Sequence, residues 1–174
     1  MRIISGKYKS RKLITPSDNN VRPTGDRAKE TLFNILSSRF ELEGTVCLDL
    51  FCGTGNLGLE CISRGADKCF FVDKDISIVK KNIDNLEAEG KCEIFRMDAI
   101  KFLEVNSGKN IDFVFSDPPY SYENYNSLLD IISGLKTVFI LEHPENFRHE
   151  NKFDSRVLIR KKIGTINFTI FDFR

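Results

Sequence analysis

Two short segments carry residue types from which a reaction could be built. The first is Asp117-Pro118-Pro119-Tyr120. Its prolines fix the backbone and remove amide donors, leaving a rigid display of carbonyls. The Asp117 side chain and the Pro118 carbonyl can both accept from one exocyclic amine, and Tyr120 can stack on the ring that bears it. Such an amine is a poor nucleophile, because its lone pair is delocalised into the heterocycle. Orienting it and accepting its proton raise its reactivity. The second segment, Gly53-Thr54-Gly55-Asn56-Leu57-Gly58, has the G-x-G-x-x-G spacing that lets a nucleoside-bearing cofactor approach the backbone closely. Alone that spacing is a weak signal, since a packing turn between strand and helix can share it.

Three carboxylates strengthen the second segment. Asp73 ends a candidate strand, where it can accept both hydroxyls of a ribose. Asp49 interrupts an otherwise apolar run, and an unpaired carboxylate there is costly. Either the ammonium group of a ligand or the amides of the glycine loop would pair it. Asp98 can accept from an adenine amine or cap the helix that follows it. With Phe51, Gly53, Thr54, Gly55 and Ala99, these three make the expected cofactor site. The set admits a dinucleotide, its pyrophosphate on the helix N-terminus. It equally admits S-adenosylmethionine, whose charged tail Asp49 could meet. The Asp117–Tyr120 loop, with Pro118 and Pro119, tips the balance toward S-adenosylmethionine, since its natural target is the amino group of a nucleic-acid base.

The elements that must position these residues alternate strand with helix, which predicts one α/β domain. Pro23-Thr24 with Asp26 marks a helix start, and Ala28, Leu32, Ile35 and Leu36 repeat at helical spacing. Val46 to Phe51 reads as a central parallel strand buried on both faces. A helix follows from about Asn56 and stops near Gly65. Cys69 to Asp73, Cys92 to Met97, Ile111 to Ser116 and Val138 to Leu141 are further strands. The helix stripe of Ile76, Val79, Ile83 and Leu86 is expected to end at Gly90. Near the C-terminus, Arg156 to Ile163 and the alternation of Ile166, Phe168 and Ile170 predict an antiparallel hairpin closing the sheet. Residues 1–39 read as a basic arm, with an exposed hairpin from Ile3-Ile4, plus a helix packed on the core. Residues 40–174 read as the catalytic domain.

Composition bounds the function. A chain of 174 residues with 41% hydrophobic and 29% charged residues can bury a real core, so disorder is excluded. No run approaches the roughly 20 apolar residues of a membrane span, and the N-terminus lacks a secretion-type apolar region. A cytoplasmic monomer is expected. The five cysteines fit no metal spacing, nor do His143 and His149, so no metal is expected. The net charge of +1 hides an asymmetry. Residues 1–39 carry nine basic side chains against three acidic ones, which leaves the remainder acidic. Arg2, Lys7, Lys9, Arg11, Lys12 and Arg22 are therefore candidate contacts for a polyanion. A second basic cluster, Arg148, Lys152, Arg156, Arg160, Lys161 and Lys162, is ambiguous, and Tyr122 and Tyr125 could stack on nucleotides or pack beneath a helix.

Over nearly its full length the chain resembles the RsmD family of small-subunit (16S) ribosomal RNA guanine-N2 methyltransferases. The resemblance rests on Arg2-Ile3-Ile4-Ser5-Gly6 with Lys12-Leu13, on Arg22 to Arg27 running into Glu30 to Leu36, on Asp49 to Glu60, and on Asp117 to Tyr120. It implies a seven-stranded, Rossmann-like class I methyltransferase sheet, S-adenosylmethionine as methyl donor, and one guanine of an assembling small subunit as target. By position it puts Asp49, Gly53, Gly55, Asp73 and Asp98 at the cofactor and Asp117, Pro118 and Tyr120 at the base. Adenine-N6 methylation of DNA or RNA would use the same loop. An NAD-dependent oxidoreductase would leave Asp117 to Tyr120 unexplained, and a non-catalytic RNA-binding protein would give no reason for the glycine loop.

Overall fold

The apolar run with one aspartate becomes β1, Val46–Leu50, and the rest of the sheet is laid out from it. The computed structural model describes residues 1–16, 24–119 and 121–174, with Thr24 described by its backbone only. Helix α1 (Thr24–Ser37) precedes β1; α2 (Asn56–Ser63), β2 (Lys68–Asp73), α3 (Ser77–Leu86) and β3 (Cys92–Arg96) follow it. Then come α4 (Ala99–Val105), β4 (Phe113–Ser116), α5 (Tyr125–Ser133), β5 (Val138–His143), β6 (Val157–Ile163) and β7 (Ile166–Asp172). The strands form one seven-stranded sheet in the order β3-β2-β1-β4-β5-β7-β6. Neighbours among β1 to β5 pair in parallel, while β7 is antiparallel to both β5 and β6. This is the mostly parallel α/β sheet with a C-terminal hairpin that the sequence predicted.

The strand order changes direction between β1 and β4. In open α/β sheets the crevice outside the carboxyl ends of the strands at such a point is where ligands bind. Leu50 and Ser116 lie level in the register, so the glycine loop and Asp117 leave the sheet side by side.

Alternation along β1 assigns the two faces. Cys47 packs with α1, α2 and α3 in one apolar layer, together with Phe113 and Phe115 of β4. Leu48 and Leu50 pack with α4 and α5 in the other, together with Val114. The five cysteines are free thiols on the first layer, four of them buried. Helix α3 ends earlier than Gly90. Glu87 takes a left-handed φ of 55°, and the Ala88 amide closes onto the Ile83 carbonyl at 3.1 Å, tucking Ala88 into the core. That apolar anchor stops the helix, where the sequence signal pointed to the glycine.

The arm is less of an appendage than an exposed hairpin implies. Arg2 and Lys12 form an antiparallel bridge, and Ile3 and Ser10 donate to Arg11 and Ile3 carbonyls at 2.9 Å. Its polar face is solvent-exposed, but Ile3, Tyr8 and Leu13 enter the core. Glu60 of α2, 0% exposed, accepts from the Ile4 and Ser5 amides at 2.8 and 3.0 Å. The same carboxylate pairs with Lys29 of α1 at 3.0 Å and with Arg64 at 2.8 Å. Gly6 crosses α2 so closely that a Cβ would meet the Ser63 carbonyl oxygen at 1.7 Å. The arm is clamped to the helix that follows the glycine loop.

Candidate active site

The loop after β1 is built from left-handed residues: φ is 55° at Phe51, 49° at Gly53 and 76° at Gly55. A side chain at Gly55 would come within 2.6 Å of Val79, and one at Gly58 within 2.4 Å of the Phe71 ring. The glycines thus let the loop turn and let α2 lie directly on the sheet. Asp73, at the end of β2, fixes the loop by accepting from the Gly53 amide at 2.8 Å. Its other oxygen accepts from Asp75 at 3.1 Å.

Asp49 is only 3% exposed, and its one hydrogen-bond donor among the described residues is the Gly58 amide, at 2.8 Å. Burial pushes its pKa up to about 8; the Gly58 bond opposes this, while the charges of Asp117 and Asp73 add to it. A buried carboxylate with one amide and two like charges nearby gains from a cation or from keeping its proton. Asp98 caps α4 through Ile100 and Lys101 at 3.0 and 3.4 Å, and its second oxygen lies 3.3 Å from Lys74. Burial works against the charge of Asp98, but these bonds outweigh it and hold its pKa below the ordinary carboxylate value. Ala99 is buried in the first turn of that helix.

Across the crevice, Asp117 and Pro119 are exposed and Pro118 is buried at the end of β4. The Pro119 carbonyl accepts from the Tyr122 amide at 2.8 Å, closing the loop on itself. Tyr125 is buried, and Tyr122 stands edge-on to both Phe51 (5.1 Å) and Tyr125 (5.2 Å). Both tyrosines thus make packing contacts, and Tyr125 also lines the cavity between the two motifs. Burial, then the charge of Asp98, raises the Tyr122 pKa to about 12, and its buried hydroxyl has no partner among the described residues. Ser116 Oγ, buried directly before Asp117, is likewise unpartnered among them.

A cavity of about 960 Å³ joins the two motifs. Asp49, Phe51, Gly53, Thr54, Asp117, Pro118 and Pro119 of the predicted site line it; Gly55, Asp73, Asp98 and Ala99 do not. Arg2, Lys7, Lys9, Arg11 and Lys12 lie on the arm and are not among its lining residues. Arg22 and Tyr120 lie outside the described residues. Sequence reasoning missed Lys29, buried on the wall with its Nζ 2.7 Å from both the Arg2 carbonyl and Asn56 Oδ1. A lysine between Ala28 and Leu32 in an apolar stripe was the available signal. The rim formed by His143, Lys162 and Asn167 was also missed. His143 is held structurally: Nδ1 contacts the Pro144 carbonyl and Nε2 contacts Thr169 Oγ1, each at 2.9 Å.

The residues fit S-adenosylmethionine: a buried carboxylate with no cation partner among the described residues, an open glycine turn beside Asp73, and a buried tyrosine hydroxyl, on a ring packed against Phe51, with no partner among them. Comparison with known proteins points the same way. The model of a family described as conserved hypothetical protein 95 matches residues 1–172. YlbH of Bacillus subtilis, named provisionally as an rRNA methyltransferase, is 34% identical over 93% of this chain and 92% of its own length. Ribosomal RNA small subunit methyltransferase D of Haemophilus influenzae is 38% identical over 70% of this chain and 65% of its own. A solved Escherichia coli structure, yhhF, also named provisionally as a methyltransferase, superposes with a TM-score of 0.82 at 28% identity, covering 99% of this chain and 97% of that one.

Proposed function

We propose, from the premise that the chain belongs to the conserved hypothetical protein 95 family, that it is an S-adenosylmethionine-dependent methyltransferase of small-subunit ribosomal RNA acting on the N2 amine of a guanine. The observation that carries this reading is the shared cavity: the glycine loop and the Asp117–Pro119 loop open side by side into one space. Its volume of about 960 Å³ stands at the upper end of ligand pockets, room for a base beside the cofactor's amino-acid end, while Asp73, Asp98 and Ala99, which would take the adenosine, lie outside its lining.

When bound, S-adenosylmethionine would supply a methyl group on a sulfonium, open to in-line attack. The protein's part is to align and deprotonate. Asp49 would hold the ammonium of the cofactor's tail. Asp73, already fixed by Gly53, would accept from the ribose. Gly53, Thr54 and Gly55 would give the backbone approach, while Phe51, Asp98 and Ala99 would flank the adenine. Asp117 and the Pro118 carbonyl would accept from the guanine amine, with Pro119 stiffening the loop and Tyr120 stacking on the ring. As the amine is methylated, Asp117 would take its proton. The arm residues Arg2, Lys7, Lys9, Arg11, Lys12 and Arg22 would add phosphate contacts, acting as a monomer on an assembling subunit in the cytoplasm. Among the described residues, no helix is long and apolar enough to cross a membrane.

The test is transfer of a labelled methyl group to small-subunit rRNA, free or within the subunit, followed by nucleoside mass spectrometry. N2-methylguanosine is expected. N6-methyladenosine would move the chain to the alternative target, and binding of NAD without any transfer would sink the reading. Asp117→Ala should lower the single-turnover rate by roughly 10²–10⁴, the usual worth of positioned acid–base help, and leave cofactor affinity nearly intact. A folded variant with the wild-type rate would remove Asp117 from the reaction.

A further inference from the structure

Beside the main cavity lies a second groove of about 300 Å³, walled by the C-terminal hairpin and the segment after β5. The two share His143, Glu145, Lys162, Asn167 and Phe168, so the groove continues the cavity outward from the base loop. Its direction follows from the strand order. Beyond β4, which delivers Asp117, come β5, β7 and β6. In that register Asn167 pairs with both His143 and Lys162, and Thr169 with Arg160.

The charges here differ from the rest of the C-terminal cluster. Lys152 is engaged by Asp130 at 2.6 Å and Glu150 at 2.9 Å. Lys162 is engaged by Glu145 at 2.6 Å. Arg148, Arg160 and Lys161, by contrast, have no carboxylate in ion-pair reach among the described residues. Arg148 Nη1 rests on the Phe147 and Glu145 carbonyls at 2.8 and 3.2 Å. Arg160 Nη2 donates to His149 Nε2, and His149 Nδ1 then donates to the Glu150 carbonyl at 3.0 Å. Arg148 is therefore held by backbone carbonyls and Arg160 by the His149 ring, whose Nδ1 also lies 3.7 Å from Asp154 Oδ1; neither guanidinium has a carboxylate of its own in ion-pair reach among the described residues. The effect is felt next door: burial, opposed by the Pro144 hydrogen bond and reinforced by the charges of Arg160 and Arg148, depresses the pKa of His143.

We propose that this groove, anchored by Arg148 and Arg160, binds phosphates of the RNA strand flanking the target nucleotide. The inference rests on the RNA-methyltransferase reading of the adjacent cavity. A nucleotide whose base sits at Asp117 must carry its chain out over the rim. Toward β3 the rim is taken by the glycine loop and Asp73, whereas toward β6 it opens into two fixed, unneutralised guanidiniums. Paired forks of this kind suit phosphate oxygens. Phe147 and Phe168 add a small apolar floor on which a nucleotide can rest, while Arg148, Arg160 and Lys161 supply the charge that favours a polyanion.

The experiment measures binding of a single-stranded fragment of small-subunit rRNA against salt, for the wild type and for Arg148→Gln with Arg160→Gln. Affinity should fall roughly tenfold near physiological salt, and the log–log slope should become shallower by about 0.7 for each lost contact. Cofactor affinity and the single-turnover rate at saturating RNA should stay at wild-type values. An unchanged slope would overturn the proposal, leaving these charges as guards of an exposed edge strand. If the double variant does not fold, Arg148→Gln alone serves, since Arg148 touches only backbone carbonyls. Independently, RNA should shield Arg148 and Arg160 of the wild type from an arginine-selective dicarbonyl, read by peptide mass spectrometry; equal labelling with and without RNA would also overturn it. A wild type that binds RNA with the predicted slope but transfers no methyl group would fail the functional reading while leaving the groove standing.

Discussion

The two flanks of the cavity use charge in opposite ways. On the flank of the arm, α1 and α2, charges are buried and satisfied from within: Lys29 and Glu60 are both almost fully enclosed and share Arg64, Asn56 and the arm's own amides. On the flank of the hairpin, Arg148 and Arg160 face solvent and are held by neutral groups. A basic residue near the N-terminus is thus as much a structural tie as a candidate RNA contact, and net charge along the sequence does not separate the two. Asp49 belongs to the first flank by burial but has no internal cation beside it among the described residues.

The largest effect should come from cutting the tie. Glu60→Ala removes the partner of Lys29 and orphans the Ile4 and Ser5 amides together. Breaking a buried pair from one side costs about 3–5 kcal/mol, because the remaining charge is left without compensation. Burial already pulls the Lys29 pKa down, with Glu60 the main opposing influence, so the variant's lysine should lose its proton more readily. On the other flank, Arg160→Gln should stay within about 0.5 kcal/mol, as for surface sites generally. Denaturant titration of both variants measures the difference. Comparable losses would erase the distinction between the flanks.

A middle-sized effect follows from Asp49. Its pKa of about 8 in the folded protein lies above the unfolded value of roughly 3.9. The native state therefore keeps this proton where the unfolded chain has lost it, and the contribution to stability falls as pH rises from about 4 to about 8. A ligand ammonium needs the ionised form. Cofactor affinity should accordingly rise with pH, up to about tenfold per unit between pH 6 and 8, and level off above. Calorimetry at three pH values reads this directly. Asp49→Asn should bind more weakly and lose the slope; a slope that survives in the variant would assign the proton to another group.

Much of this arrangement was legible in the sequence because it is written locally. The apolar run of β1, the glycines after it and the two prolines after β4 each specify a backbone path through their own chemistry, and strand alternation supplied the sheet. What was not legible depends on contacts between distant residues. Glu60 reads as one more polar position in α2, and only the crossing of Gly6 over Ser63 reveals that it receives the arm. Tyr122 and Tyr125 are open in the sequence because stacking on a base and packing under a helix need the same side chains; in the structure Tyr122 packs edge-on to Phe51 and to Tyr125, which begins α5. The C-terminal basic cluster divides into engaged and unengaged members through Asp130, Glu150 and Glu145. No spacing in the sequence encodes those pairings.

The smallest effect is expected at the outer face of the arm, and it sharpens the comparison most. Arg2 is tied to Asp26 at 3.2 Å and Arg11 to the Asn85 carbonyl, so neither tests the face cleanly. Lys9 and Lys12 are exposed, and no carboxylate pairs with them among the described residues. Their replacement by Gln should leave folding and cofactor affinity unaltered, because Ile3, Tyr8, Leu13 and the Glu60 clamp are untouched. RNA affinity should fall by only a few-fold, since flexible ammonium groups lose part of each contact to side-chain entropy and screening. The salt slope should shrink less than for the Arg148 and Arg160 pair, whose guanidiniums are already held in position. A larger loss at Lys9 and Lys12 than at the arginines would make the arm the principal RNA surface and reverse the assignment of the flanks. No loss at all would leave the arm's lysines as a solvated face over a structural strap.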